Sequence, residues 1–304
     1  MTQMIISCNI LKHKGLFMIT LNIIGAGRLG KTLGRLLRTN TDVTIQGICN
    51  RSLESTRAAI AFIGEGEAYE DIESLPPANI TLITTPDDVI QATAIKLSSS
   101  SNLMEESIAC HFSGALSSEI LYSLETKGCN TMSAHPMHSF AKPELSLSSF
   151  EGTFCAVEGD EKSQELMTPL LIAIGAQTFI LDSDKKSLYH SAGVIASNYL
   201  VTLCEQAKLN LVDSGIEQQT AIKIVTSLME GTVQNIKATL SPESSLTGPI
   251  KRGDSETVLS HMKSIPGDRR KLFYSFLADL TLDISGLSQD KEKEVRSALK
   301  LYIS

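Results

Sequence analysis

The sequence has no block of basic residues, no C-x-x-C pair, no apolar run of bilayer length and no internal repeat or low-complexity tract. Each absence removes a class of function. A formal net charge of -7, without a Lys/Arg stripe to neutralise phosphates, argues against nucleic acid as a main partner. The six cysteines (Cys8, Cys49, Cys110, Cys129, Cys155, Cys204) are scattered. They read as reduced, mostly buried thiols of a cytoplasmic protein rather than a disulfide or zinc framework. No ligand pair has helical or C-x-x-C spacing, so no metal is expected. The most apolar stretch, LMTPLLIAIGAQTFIL at 166–181, is interrupted by Pro169, Gly175 and Gln177, short of the roughly 20 apolar residues a membrane helix needs. Near the N-terminus, Lys12 and Lys14 follow a mild apolar segment instead of preceding it, the reverse of a secretory signal. Residues 1–17 are expected to be an extension, with Met18 a candidate for the true start.

What is present is the balance of a globular protein. Of 304 residues, 42% are apolar and 20% charged, enough to bury a large core. From 18 to about 182, short β-rich runs alternate with helical stretches. The strands expected are 19–24, 43–49, 80–84, 107–113, 131–135, 153–159 and 176–181, the first several apolar on both faces as in a covered parallel sheet. After about 184 only helical patterns remain. Residues 185–209 are apolar almost all round and are expected to be buried on several sides. A second helix spans 217–240, and two or three more run from Ser255. The serine-rich segments at 97–102 and 145–150 read as surface turns. The fold class is therefore α/β, a doubly wound, mostly parallel Rossmann sheet at 18–183, followed by an all-helical C-terminal domain at 184–304.

The segment LNIIGAGRLGKTLGRLL at 21–37 runs from an apolar strand through a glycine cluster into a helix. Gly25, Gly27 and Gly30 fit G-x-G-x-x-G: a tight turn, close approach of the backbone to a pyrophosphate, and close helix–strand packing. With Ala26, Arg28 and Leu29 they form the expected cofactor loop, phosphates at the helix N-terminus. About 20 residues on, an NAD site usually has Asp or Glu. Here stand Asn50, Arg51 and Ser52. Arginine pairs with a 2′-phosphate, which points to NADP rather than NAD. Thr85 and Pro86 end the next strand sharply, either over the cofactor's ribose and nicotinamide or simply as a helix start.

Three histidines fall near strand ends, where open α/β sheets bind ligands. His135 is the expected proton carrier. His111 or His190 would support it, and Ser113 would hold a substrate oxygen or the nicotinamide carboxamide. His135 as an ordinary core histidine is the competing reading, and His138 lies close by. His190, Ser197 and Asn198 are polar on an apolar helix and need partners: each other, a neighbouring helix, or a substrate in the cleft, which makes His190 and Asn198 candidate catalytic residues. The LTGPIKRGD turn carries Arg252, a candidate for a substrate carboxylate, and Asp254, which reads as a helix cap.

Taken together, IIGAGRLG, NRS, ITTPDDVI, HFSGALSSEIL, AHPMHSFA, YHSAGVIASNYL and LTGPIKRGD resemble an uncharacterised bacterial family. It joins an NADP-type Rossmann domain to a helical domain of unknown function, within the 6-phosphogluconate dehydrogenase-like group that includes pyrroline-5-carboxylate reductase, β-hydroxyacid dehydrogenases and prephenate dehydrogenase. The resemblance spans roughly 18–300. It implies a homodimer formed through the helical domain and a substrate held between the domains. AHPM is similar to the H-P-M/I segment of prephenate dehydrogenases, whose histidine falls at His135 and whose serine falls at Ser113. Their second histidine falls near Asn198, and the β-hydroxyacid dehydrogenase lysine falls at Val194; both are departures. The expected function is an NADP-dependent oxidoreductase acting on a small hydroxy- or imino-acid. The alternatives are a prephenate/arogenate dehydrogenase-like enzyme and a non-catalytic NADP-binding sensor.

Overall fold

A computed structural model describes residues 18–300; the expected extension at 1–17 and Cys8 lie outside the described residues. The chain divides into two compact units, with the boundary between Ala196 and Ser197.

In the first unit β1 (Thr20–Ile24) leads into α1 (Arg28–Asn40), β2 (Thr44–Cys49) into α2 (Leu53–Ile63), and β3 (Glu67–Tyr69) follows. Next come β4 (Ile80–Ile83), α3 (Asp87–Ser98), β5 (Ile108–His111), a 3-10 turn, α4 (Tyr122–Glu125), β6 (Asn130–Pro136) and α5 (Pro143–Ser149). The sheet ends with β7 (Phe154–Gly159), α6 (Glu161–Ala173) and β8 (Gln177–Ile180). The strand order is β3-β2-β1-β4-β5-β6-β7-β8, parallel throughout except between β6 and β7. The order reverses between β1 and β4, so the carboxyl ends of those strands open the crevice in which such sheets bind ligands.

The sheet forms because its central strands are apolar on both faces. On β1, Leu21 and Ile23 enter one core with Leu33, Leu37 and Ile63, while Ile24 enters the opposite core with Ile83, Ile90 and Leu121. Each such side chain contributes roughly 1.5–3 kcal/mol on burial. Strand β3 does not appear among the expected strands: it has three residues, lies at the edge and exposes Glu67 and Ala68. The segment at 145–150 is no surface turn. It runs through α5 and buries Ser146 and Phe150 in the core, the aromatic ring outweighing the serines around it.

The expected helix at 185–209 is three elements: α7 (Lys186–Gly193), which belongs to the first unit, a π-helical turn at Val194–Asn198, and α8 (Tyr199–Asp213). In the second unit follow α9 (Gln218–Thr239), two short turns α10 (Pro242–Ser245) and α11 (Pro249–Arg252), then α12 (Ser255–Ser264), α13 (Asp268–Leu282) and α14 (Gln289–Lys300). The expectation that 185–209 is buried on several sides is overturned. No residue of α8 is buried, and Val201 is 70% exposed. The core of this unit is built instead by Val258, Met262, Ala278, Leu282 and Val295 from α12–α14, while α8 and α9 pack on each other. Among the described residues no helix is long and apolar enough to cross a membrane.

Candidate functional site: a glycine crevice and a buried polar row

The three glycines do three different jobs. Gly25 adopts φ +83°, a left-handed turn that a side chain resists, and a Cβ there would lie 2.6 Å from the Thr85 methyl. At Gly30 a Cβ would run into the Thr84 hydroxyl, so this glycine lets α1 press on the sheet. Gly27 is different: a Cβ there meets nothing nearer than the Gly25 carbonyl at 3.8 Å. It faces open space at the N-cap of α1, which carries no side-chain cap and no acidic residue in its first turn. The first N–H groups of a helix have no intrahelical acceptor, so this end is a ready anion cradle.

Around the crevice, Thr85 Oγ1 and Asn50 Oδ1 are buried without a hydrogen-bond partner. Buried polar atoms are almost always paired, and a dinucleotide's hydroxyl and amino groups are suitable partners. Arg51 is exposed after β2. The Ser52 hydroxyl caps α2, accepting from the Ser55 N–H at 3.3 Å. Pro86 starts α3 at its N-cap. These residues fit a dinucleotide on the chemistry of the donors they present.

Beyond it lies a polar row across three strands. His111 is register partner to Ser133, and Ser133 to Glu158, so the three side chains share one sheet face; His135, two residues beyond Ser133, points to that face too. The first residue of α7, Lys186, is 1% exposed and drops onto this row. Its ammonium donates to Ser133 Oγ at 2.5 Å and lies 3.4 Å from Glu158 Oε1. Glu158 also accepts from the N–H and hydroxyl of Ser118, each at 2.8 Å. Burial pushes the lysine down from its ordinary value and Glu158 pulls it back.

One turn further, Tyr189 and His190 surround His135. The Tyr189 hydroxyl lies 3.3 Å from both Nδ1 and the carbonyl oxygen of His135. A phenol has one proton, so donation to the carbonyl makes Nδ1–H the donor to Tyr189 and leaves Nε2 with its lone pair. The His190 ring sits edge-on at 5.6 Å, and Gly114 lets both imidazoles close in, since a Cβ there would meet each. Burial, then His190 and Lys186, push His135 down to about 4. It is a neutral base at pH 7.

Of the other expected residues, three are committed to partners of their own and three belong to the second unit. His111 is fully buried, with Nε2 3.1 Å from the Ser117 carbonyl and Nδ1 accepting from the Ser113 N–H at 3.2 Å. With both nitrogens used it is a structural histidine. Ser113 is equally occupied: its hydroxyl donates to Asp87 at 2.7 Å and accepts from the N–H groups of Ala115 and Leu116, which leaves no donor for a substrate oxygen. His138 is held by Ser149 and Thr153. In the second unit, Asn198 ends the π turn and Arg252 ends α11, both exposed. Asp254 caps α12, accepting from the Thr257 N–H at 3.0 Å. Lys186, Glu158, Tyr189 and Asp87 are not anticipated from sequence. The available signals are a lysine three and four residues before Tyr189 and His190, one helix face, and a glutamate inside the apolar strand FCAVEG.

Residues 11–136 match a Rossmann-like domain and residues 153–281 a domain of unknown function, DUF2520. The chain joins a Rossmann-like domain to a DUF2520 domain. The DUF2520 match begins at β7, so His111, Ser133 and His135 come from one family segment and Glu158, Lys186, Tyr189 and His190 from the other. No curated protein matches by sequence. Among solved structures, protein TM1727 from Thermotoga maritima shares 28% identity, covering 87% of this chain and 98% of its own, at a TM-score of 0.67. An imine reductase from Myxococcus stipitatus in complex with NADP+ shares 15% identity (94% and 100% covered, TM-score 0.61). A pyrroline-5-carboxylate reductase from Coxiella burnetii shares 13% (94% and 98%, 0.58). The last two share its fold.

Proposed function

We propose that this Rossmann–DUF2520 protein is an NADP-dependent oxidoreductase acting on a small hydroxy- or imino-acid. Gly27 carries the reading: it is the one glycine of the cluster that neither the turn nor the packing requires, and it stands where a pyrophosphate needs close approach. The unpartnered Thr85 and Asn50 oxygens and the exposed Arg51 support it, Arg51 suiting a 2′-phosphate. The fold-mates named for imine and pyrroline-5-carboxylate reduction support hydride chemistry on a C–N or C–O carbon. When bound, NADP supplies or accepts the hydride. The chain's own part is the proton: Nε2 of neutral His135 takes it from a substrate hydroxyl or amine during oxidation and returns it during reduction.

We place the protein in the cytoplasm and read it as a homodimer. Helices α8 and α9 expose Tyr199, Val201, Ile224 and Leu228, the last 72%, and a second copy is the cover we assign to them.

The test is thermal unfolding with NADPH, NADH or neither, for the native chain and Arg51→Ala. NADPH should stabilise more than NADH, and the substitution should erase the difference. No shift with either nucleotide refutes cofactor binding. Equal shifts refute the choice of NADP. His135→Asn should keep the NADPH shift and lose turnover; if it changes no function, the protein is a cofactor-binding sensor.

A further inference from the structure

Lys186 is the most completely buried charge near His135, and nothing in the proposed chemistry uses it. A buried ion pair is a poor source of stability, since desolvation offsets the Coulombic gain. Its position is more telling. The ammonium reaches Ser133 across 53 residues of sequence, and Ser133 Oγ lies 3.4 Å from the Ser113 carbonyl, in the loop that carries Gly114. The same lysine begins the helix that presents Tyr189 and His190. One side chain thus ties α7, β6 and β7 together on the sheet face that carries His135, and it does so across the seam between the two family segments.

We infer that Lys186 is the positioning residue of the His135 centre: anchored on Ser133 and Glu158, it holds the first turn of α7 so that Tyr189 engages Nδ1 and Nε2 is left free. Its charge acts in the same sense, opposing a second positive charge on His135. The titratable groups that bear on the imidazole are Lys186, Tyr189 and His190 from α7; Glu158 and His111 stand on the same sheet face, while Cys110 and Cys155 alternate onto the opposite one. Of these, His190 and Lys186 act to keep the imidazole neutral. This role rests on His135 being the proton carrier of the proposed oxidoreductase, but the arrangement can be measured without turnover.

The measurement is a pH titration of the 15N-labelled imidazoles in the full chain, reading protonation and tautomer of His135 by long-range 1H–15N correlation. It is made on the native protein, Lys186→Met and Lys186→Met/Glu158→Gln, the double variant removing both charges so that neither is stranded. In both variants the His135 midpoint should rise by about one unit, and the single Nδ1–H tautomer should become a mixture. A folded double variant with unchanged midpoint and tautomer overturns the inference. NADPH stabilisation should persist in both, so a lost cofactor shift in the native chain counts against the proposed function alone.

Discussion

The division of labour within the glycine cluster makes a prediction that separates folding from binding. In Gly27→Ala the new methyl finds its nearest neighbour at 3.8 Å, so unfolding free energy without ligand should stay within about 0.5 kcal/mol of native. The same methyl occupies the approach to the helix N-terminus. If it weakens NADPH about 100-fold, ligand at about 100 times the native dissociation constant drops from about 2.7 to about 0.4 kcal/mol of stabilisation. The lost 2.3 kcal/mol or so is about 3–4 °C of melting temperature at this size. Gly30→Ala should behave in the opposite way. Its methyl collides with the Thr84 hydroxyl and lies 3.3 Å from the Gly25 carbonyl oxygen, an overpacking worth about 1–3 kcal/mol. Chemical denaturation and thermal shift on the two variants, with and without NADPH, read both effects. Native-like NADPH stabilisation in Gly27→Ala refutes the phosphate cradle; native-like stability in Gly30→Ala refutes the packing role.

Burial and Lys186 hold His111 at about 4, below its unfolded value of about 6.5. The unfolded chain therefore binds more protons between these values, and stability is complete above about pH 6.5 and lost as pH falls toward 4, about 3 kcal/mol for this one group. Denaturant midpoints across that window should show the loss, and His111→Asn should lessen the slope by this group's share, leaving that of His135, which burial also holds at about 4; an unchanged slope contradicts the buried, neutral assignment. Glu158→Gln alone strands the Lys186 charge and should cost about 3–5 kcal/mol, most of it recovered when Lys186→Met is added; a double-mutant cycle in urea measures the coupling, and additive costs rule out the pair. Asp160 caps α6, accepting from the Ser163 N–H at 2.9 Å, so Asp160→Ala should lose about 1 kcal/mol with NADPH binding untouched. Leu228→Lys should turn the proposed dimer into a monomer in sedimentation velocity; a native-like dimer removes α8 and α9 from the interface, and a monomeric native chain refutes the dimer itself.

Where the physics is local, the sequence by itself determined the outcome. The apolar strands, the G-x-G-x-x-G turn and the Asp254 cap each depend on residues within a few positions of one another, and each is found where the pattern put it. The glycines could even be assigned separate roles, because a turn, a phosphate approach and a helix–strand contact make different demands on one short loop. The three-residue edge strand β3 carries no such pattern. At 145–150 the serines concealed Phe150, whose burial is decided by the sheet above it. The polar row was beyond sequence reasoning for the same reason. His111, Ser133 and Glu158 meet only because β5, β6 and β7 align in one register, with β7 running antiparallel. Strand register also decides that His111 and Ser113 spend their polar atoms on the backbone and Asp87, while His135 keeps one nitrogen free. Lys186 is one of two adjacent lysines at the head of a helical pattern and carries no mark of its own in the sequence. Only the tertiary structure places Ser133 and Glu158 around it, and a buried charge is tolerable only where such partners converge.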